Sequence, residues 1–518
     1  MRTLLGILCF ALSVVVQAQR SSFPLPEVTP EERQFRVVYE WSTVGFAYRS
    51  DIERGNAIYL NHYIPRNNLI SDVKAFANRL YLTVPRMLPG VPATLGWIVS
   101  PNNNGRTDPE IEPFPSWEMN EIGNCSALQF VQGIAIDTDG IMWVVDSGRI
   151  ETLSQGSRPH ANCLPKLLLL DLKRNGTIIR QYEFPDEVAS RGSNYLNKIV
   201  IDDAFGGFAY ITDNSGADPG IVVYSKRLNR SWKIREVNSM RAARSAQDFI
   251  INGTSLNFAI HIDGIALGPY YNPETGLTQN QGLPTASQQQ RGQLNLRANN
   301  FERNVYYSPL SSYHLYSIPA SLLRDPEFAR RATPRDILAA VTDVGLKVSQ
   351  TDGMIMDNRG VLYYGLLKDN AIAQWDSYLP FTYENQLIIA KDDNYIQWVD
   401  GMSFDEEGYL YVVVNRLFNF VAGRLRPNDI NFRILRAKTG TLSYVYTNNG
   451  GLGARAPEDI LNRGLILNDF GNGIASTTPY FSSLEGARFF SGATMSAQSI
   501  ALIFVLSIAT MSTYFIRF

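Results

Sequence analysis

Hydrophobic and polar residues alternate in two short neighbouring segments near residue 140. In GIAIDTDGIMWVVDSGRIE (133–151), the alternation has a period of two over GIAID and again over IMWVVD, which predicts two β-strands. The Asp-Gly pair at 139–140 predicts a tight turn between them, because glycine tolerates a positive φ and the aspartate side chain hydrogen-bonds its own turn. The second strand runs into the polar group DSGR (146–149), which either ends a structural unit or faces a binding site.

The same turn and strand recur along the chain. Clear copies are DNRGVLYYGLL, which begins at Asp357, and DEEGYLYVVVNRL, which begins at Asp405; a looser copy, DDAFGGFAYITDNSG, begins at Asp202. In three of the copies the strand ends on an acid or an amide, namely Asp146, Asp213 and Asn415. The two clear copies begin 48 residues apart, close to the length of a four-stranded propeller blade. The stretch 35–450 would therefore hold about six to eight blades.

Most of the remaining pattern is also of the β type. Further short strands are predicted at 166–172, 220–226 and 314–319, whereas helical spacing is confined to 319–341, where one or two short helices between blades are expected. Residues 272–300 are polar, rich in Gly and Gln and without period, and are predicted to form a mobile loop. We therefore predict an all-β propeller whose axis leaves a channel for a small ligand.

Both ends of the chain carry predicted targeting segments. Residues 1–18 combine an early arginine, an apolar run and a small-residue cleavage pattern, which is typical of a secretory signal peptide, and 19–34 form a linker. After the propeller, an extension (451–493) leads to an apolar tail (494–518) preceded by small residues, as in a glycolipid-anchor signal. A single-pass membrane helix is the alternative for this tail. Either would hold the protein at the outer cell surface.

The cysteines and the glycosylation sequons agree with secretion. Cys9 lies in the signal peptide, so the mature chain keeps Cys125 and Cys163, which are expected to form a disulfide in an oxidising compartment. Asn124, which is followed by a cysteine, is a poor glycosylation acceptor. Three ordinary sequons predict N-glycosylation at Asn175, Asn229 and Asn252.

Charge and motifs argue against several classes of function. The 518-residue chain has a formal net charge of −2 and no long basic run, which argues against nucleic acid as a partner. Its four histidines lack zinc-ligand spacing, and no Gly-x-Ser-x-Gly or phosphate-binding motif occurs in the sequence. Acids such as Asp146, Asp213 and Asp400 would suit calcium, but turn capping explains most of them. Neither a metal nor a cofactor is predicted.

Seven motifs, in order along the chain, resemble the yellow / major royal jelly protein family of insects. They are VVYEW (37–41), VPRMLPGVPATL (84–95), GIAIDTDGIMWVVDSGRIE (133–151), LPKLLLLDLKRNGTIIRQYEFP (164–185), AYITDNSG (209–216), YYSPLSSYHLYSIP (306–319) and FRILRAKTGTL (432–442). The resemblance covers residues 35–450 and implies a secreted, six-bladed β-propeller. Gln374 stands where the family usually has a cysteine, so the resemblance implies that the second of its two usual disulfides is absent.

The polar strand ends are the candidate ligand-binding residues. Acids and amides beside aromatic residues suit a protonated amine, whose charge pairs with a carboxylate while its ring stacks on Trp or Tyr. Sand-fly salivary members of the family bind biogenic amines such as serotonin in the channel, and the resemblance implies that Asn415 contributes to such a site. Asp146 and Asp213 are added on physical grounds alone. The alternative is that these residues link neighbouring blades, with Arg149 and Arg416 in structural pairs.

Three functions remain open at this stage. The first is a secreted or cell-surface protein that binds a small aromatic amine or catechol-type ligand and acts in pigmentation, cuticle or eggshell. The second, by resemblance, is a dopachrome-converting, tautomerase-type enzyme of melanin synthesis, for which the sequence offers no base and donor at diagnostic spacing. The third is a structural secreted protein. The oligomeric state and any catalytic residue are left open.

Overall fold

The strands of the chain form six four-stranded antiparallel sheets arranged as a six-bladed β-propeller. A computed structural model describes residues 35–100, 107–154, 163–271, 302–439 and 441–445. Blade 1 contains β2 (Asp72–Phe76), β3 (Arg79–Thr83), β4 (Leu95–Val99) and β5 (Glu112–Pro113). Blade 2 contains β6 (Val131–Ile136), β7 (Ile141–Asp146), β8 (Lys166–Asp171) and β9 (Thr177–Glu183). Blade 3 contains β10 (Leu196–Asp202), β11 (Phe208–Asp213), β12 (Gly220–Ser225) and β13 (Arg230–Ile234).

The second half of the propeller repeats this order. Blade 4 contains β16 (Ile262–Leu267), β17 (Asn304–Pro309), β18 (His314–Pro319) and β19 (Thr342–Leu346). Blade 5 contains β20 (Met354–Met356), β21 (Val361–Leu366), β22 (Ala371–Asp376) and β23 (Gln386–Lys391). Blade 6 contains β24 (Trp398–Phe404), β25 (Tyr409–Asn415), β26 (Phe432–Lys438) and, at its outer edge, β1 (Arg36–Trp41). A separate hairpin, β14 (Asp248–Ile251) and β15 (Thr254–Asn257), lies between blades 3 and 4.

The first strand of the propeller closes its last blade. β1 pairs antiparallel with β26, and Trp41 stands opposite Phe432 in the register. Blade 6 is therefore built from both ends of the propeller sequence, and this pairing closes the ring of blades. Its innermost strand is β24, the first of its three C-terminal strands, just as the first strand is innermost in each of the other blades. The six blades confirm the fold that the resemblance implies and lie at the lower limit of the count from repeat length.

The predicted turns form as the sequence indicates. Asp137 Oδ1 accepts hydrogen bonds from the backbone N–H groups of Asp139 (3.1 Å) and Ile141 (2.8 Å), and Gly140 has a φ of 78°. The clear copies at Asp357 and Asp405 repeat this arrangement, each accepting from the residues two and four positions later. Each turn joins the first and second strands of its blade, so these turns all lie at one end of the propeller.

The helices are short and lie in the connections. They are α1 (Asp51–Tyr59), α2 (Ala320–Arg324), α3 (Pro326–Arg331), α4 (Pro334–Ala340) and α5 (Leu417–Val421). One-turn 3-10 helices occupy Pro65–Asn67, Glu118–Asn120, Leu172–Arg174, Ala204–Gly206, Arg244–Ala246 and Tyr383–Asn385. The helical pattern at 319–341 thus forms three helices rather than one or two. They lie inside blade 4, between β18 and β19, rather than between blades, because β19 still follows them and completes that sheet.

Several other predictions can be compared with the structure. The Cys125–Cys163 disulfide is confirmed, and the predicted N-glycosylation sites Asn175, Asn229 and Asn252 lie exposed in turns. Across the described residues, no helix is both long and apolar enough to cross a membrane. The predicted signal peptide (1–18), linker (19–34), loop (272–300), extension (451–493) and tail (494–518) lie outside the described residues.

Candidate functional site

The innermost strands of the six blades surround the propeller axis. β2, β6, β10, β16, β20 and β24 each contact the next one around the ring. All six run in the same direction, so their first residues meet at one end of the channel. The following polar residues, each within two positions of one of these starts, are called the channel ring: Ser71, Asp72, Gln132, Asn197, Lys198, Asp263, Asp352 and Asp400.

Glycines beside the channel ring allow adjacent strands to touch. A Cβ atom built on Gly353 would lie 1.5 Å from the carbonyl oxygen of Asp400, and one built on Gly133 would lie 1.9 Å from that of Asn197. Neither position has room for a side chain. At the same level, four of the innermost strands have a register shift against the second strand of their blade, as in a β-bulge. The close approach and the shifts set the ring residues around the axis.

Lys198 reaches from blade 3 to blade 6, which stands opposite it in a six-bladed ring. Its Nζ atom donates to Oδ1 of Asp400 and lies 3.6 Å from Oδ1 of Asp352. Burial disfavours the ammonium, but Asp400 and Asp352 outweigh it and raise the pKa of Lys198 well above its ordinary value. The charged side chain of Lys198 therefore spans the channel.

A second lysine, Lys74, lies on β2 of blade 1. Lys74 Nζ donates to Oδ1 of Asp72 at 2.6 Å and to the backbone carbonyl of Met402 at 3.0 Å, which ties blade 1 to blade 6. Burial lowers the pKa of Lys74, against the opposing effect of Asp72.

The channel ring holds more acids than bases. Four ring aspartates face Lys198 of the ring and the neighbouring Lys74, which leaves two negative charges when all six groups are ionised. Burial and the neighbouring Asp352 raise the pKa of Asp400 to about 7. Burial, followed by the charge of Asp352, also raises the pKa of Asp263. An additional cation in the channel would lower the pKa of both acids.

A chamber of about 620 Å³, counting its open side, continues from the ring along the axis. Its polar end is formed by Asp72, Lys74, Lys198 and Asp400. Its apolar wall comes from residues further along the innermost strands, among them Ile136, Val200, Ile265, Met354, Met356 and Met402. At the far end, Ser443 pairs with Asp357 and the Tyr444 hydroxyl accepts from the Ile201 N–H at 2.8 Å. The chamber therefore joins a charged end to an apolar body.

Comparison with known sequences identifies the family. The family model described as "Major royal jelly protein" matches residues 129–277 and 269–445. The chain belongs to the major royal jelly protein family. Among its relatives, the Protein yellow of Drosophila melanogaster is 28% identical over 422 residues, covering 80% of this chain and 71% of the relative. The Protein yellow of Drosophila yakuba is 27% identical over 409 residues, covering 78% and 69%.

Solved structures also resemble this member of the family. A luciferin-regenerating enzyme matches 72% of this chain and 93% of its own, with 11% identity and a TM-score of 0.38. The virginiamycin B lyase from Staphylococcus aureus matches 67% and 78%, with 12% identity and a TM-score of 0.34. At these TM-scores the two likenesses carry no argument about function.

Two of the predicted ligand residues make structural contacts within their own blades. Asp146 accepts from the backbone N–H groups of Gln129 (2.8 Å) and Phe130 (2.9 Å), and Lys166 Nζ lies 3.4 Å from it. Asp213 accepts from the Tyr195 N–H and from Lys233 Nζ, both at 2.8 Å. These contacts anchor the segment that enters the innermost strand of the same blade. Neither acid lines the chamber, and ligand binding by them stays a prediction.

Asn415, by contrast, contacts the channel ring. Its amide Nδ2 donates to Oδ2 of Asp400 and to the backbone carbonyl of Ile70, both at 3.0 Å. It therefore links blade 6 to blade 1 and orients a carboxylate of the chamber. Arg149 and Arg416 have the structural partners expected in the alternative interpretation, the Asn194 carbonyl and Asp429. Within the described residues, no three His, Cys, Asp or Glu side chains are placed to hold a metal.

Apart from Asp400, which was considered only as an acid that would suit calcium, the residues of the channel ring are absent from the sequence-based candidates, although a signal for four of them exists. In four blades, a polar residue stands five positions ahead of the aspartate that begins the turn. These residues are Gln132, Asn197, Asp352 and Asp400, ahead of Asp137, Asp202, Asp357 and Asp405. Aligning the repeats on that aspartate would have identified the ring.

Proposed function

We propose that this yellow-like protein binds a small aromatic amine or catechol-type ligand in the propeller channel and acts outside the cell in pigmentation, cuticle or eggshell. The excess of acids over bases around the channel, four ring aspartates against Lys198 and the neighbouring Lys74, carries the proposal. A cationic ligand would neutralise part of that excess, and its ammonium would form charge-assisted hydrogen bonds to carboxylates.

The chamber supports an aromatic ligand as well as a charged one. Its methionines, Met354, Met356 and Met402, offer polarizable thioethers, which make favourable contacts with aromatic rings and adapt to their shape. In a catechol without an ammonium group, the hydroxyls, which donate and accept, would suit the end where Asp72 and Asp400 stand beside Lys74 and Lys198.

The location that we propose is the outer cell surface. The predicted signal peptide would direct secretion, and the predicted lipid-anchor tail (494–518) would retain the protein at the membrane. Glycosylation at the three exposed sequons would fit this route. Cleavage of the protein from intact cells by a phosphatidylinositol-specific phospholipase would support the lipid anchor, and resistance to it would favour the membrane helix.

Titration calorimetry tests the binding proposal. The full chain, produced in insect cells, is titrated with dopamine, serotonin and 4-methylcatechol. Asn415→Ala should weaken binding about tenfold because it removes the hydrogen bond that orients Asp400. Asn257→Ala, an exposed asparagine on β15, is the control and should bind as the wild type does. No heat with any of the three compounds would contradict the proposal.

One observation favours a second candidate function, the conversion of dopachrome. The pKa of Asp400, which burial and Asp352 raise to about 7, is suited to a general base near neutral pH. Asp400 would take a proton from carbon and return one to oxygen, while Lys74 or Lys198 would stabilise the oxyanion. Enzymatic loss of dopachrome colour, abolished in Asp400→Asn, would support catalysis. Binding without turnover would leave the first proposal alone.

A further inference from the structure

Two amide oxygens of the channel ring lack hydrogen-bond partners. Gln132 Oε1 and Asn197 Oδ1 are both buried, with their residues 7% and 2% exposed, and neither has a hydrogen-bond partner among the described residues. Buried polar atoms are nearly always satisfied in folded proteins, and leaving one unpaired costs about 1–3 kcal/mol. Two unpaired acceptors at equivalent positions of adjacent blades indicate a site that a hydrogen-bond donor would occupy.

One of the two amides contacts an acid of the next blade. Asn197 Nδ2 donates to Oδ1 of Asp263 at 2.6 Å, which joins blades 3 and 4. On the other side, the backbone at Gly133, next to Gln132, is packed against the Asn197 carbonyl. Blades 2, 3 and 4 therefore contribute two unpartnered acceptors and one carboxylate to one sector of the channel ring.

Lys198 does not serve this sector. Its Nζ atom is committed to Asp400 and lies near Asp352, on blades 6 and 5. The Lys198 ammonium thus contacts the carboxylates on one side of the ring. It attracts Asp263 at longer range, but among the described residues no lysine or arginine forms an ion pair with Asp263. An ammonium group has three donors and no acceptor, which matches two amide oxygens and one carboxylate.

We propose that Gln132, Asn197 and Asp263 form the subsite for the ammonium group of an arylethylamine. This assignment rests on the proposed function. The chamber wall on the same strands begins two to three residues later, at Ala135, Ile199 and Ile265. Two residues of strand span about 7 Å. A ligand with two carbons between ring and nitrogen would bridge this length, with its ring against the apolar wall and its nitrogen at the subsite.

Gln132→Met tests the subsite without removing a known contact. The variant loses a buried oxygen that has no partner, so its thermal midpoint should equal or exceed that of the wild type. Dopamine should bind about tenfold more weakly, because one charge-assisted hydrogen bond is lost. The affinity for 4-methylcatechol, which has no ammonium, should change by less than about twofold.

The controls separate this proposal from the one on which it rests. Gln397→Met removes another buried glutamine with an unpartnered Oε1, away from the chamber, and should leave both affinities unchanged. If wild-type protein binds dopamine and Gln132→Met binds it equally well, the subsite is wrong and channel binding stands. If the wild type binds neither compound, the proposed function itself is wrong.

Discussion

Replacing Lys198 with methionine would remove the ammonium group that spans the channel. The four aspartates of the ring would then face one lysine, Lys74. At an effective dielectric constant of 20, the attraction between Lys198 and Asp352 at 3.6 Å is about 4–5 kcal/mol before desolvation is counted. Breaking a buried ion pair by deleting one partner costs about 3–5 kcal/mol net. We therefore expect Lys198→Met to lower the free energy of unfolding by about that amount at alkaline pH.

The deficit should depend on pH in a definite direction. With Lys198 present, Asp400 has a pKa of about 7, raised by burial and Asp352, so the folded wild type loses this proton above neutrality. Without Lys198, the pKa of Asp400 should rise further, and the folded variant should keep the proton to higher pH. The difference in stability should then grow above pH 7 by up to about 1.4 kcal/mol per pH unit, because the folded variant binds the extra proton.

Urea unfolding at pH 6 and pH 9 measures this difference. Lys166→Met is a matched comparison, since Lys166 is equally buried but its carboxylate partner, Asp146, accepts three backbone N–H hydrogen bonds. The loss of unfolding free energy in Lys166→Met should depend less on pH. An unchanged midpoint for Lys198→Met at pH 9, or an equal deficit at both pH values, would refute the electrostatic account of the ring.

Three further predictions concern packing, pH and the disulfide. Gly353→Ala should destabilise the fold by more than about 1–3 kcal/mol, because its Cβ would lie 1.5 Å from the Asp400 carbonyl oxygen. The control is Gly192→Ala, whose Cβ would meet no described atom within 4 Å and which should leave the thermal midpoint unchanged. Calorimetry should find dopamine binding tighter at pH 8 than at pH 6, because Asp400, with a pKa of about 7, ionises over this interval and adds a negative charge to the channel ring; a flat profile would contradict this. Replacing Cys125 and Cys163 with serine should cost about 3–4 kcal/mol, measured by urea unfolding, since the bond closes a long loop.

Local chemistry made the fold predictable from the sequence. Each Asp-x-x-Gly turn is specified within four residues, and the alternating strand that follows it is specified by its own pattern. The channel ring was harder to predict because its contacts are long-range. Lys198 and Asp400 are 202 residues apart in the sequence, and nothing around either residue indicates its partner.

The three strand ends show how similar positions take different roles. In blades 2 and 3, Asp146 and Asp213 lie close to buried lysines, Lys166 and Lys233. In blade 6, the equivalent position is Asn415, whose neighbour is a carboxylate of the ring. A second acid there would be repelled, whereas an amide donates a hydrogen bond to that carboxylate. The sequence indicated polar residues at these strand ends, and only the packing of the blades distinguished them.

The pairing of β1 with β26 has a consequence for synthesis. The ribosome makes β1 first, but its partner emerges about 390 residues later, which at about 5–20 residues per second is a delay of about 20–80 s. During that time an edge strand with exposed hydrogen-bonding groups must avoid pairing with other chains. A nascent chain interrupted anywhere before residue 432 therefore leaves two open edges, so premature termination late in translation should yield aggregates rather than a shorter working protein.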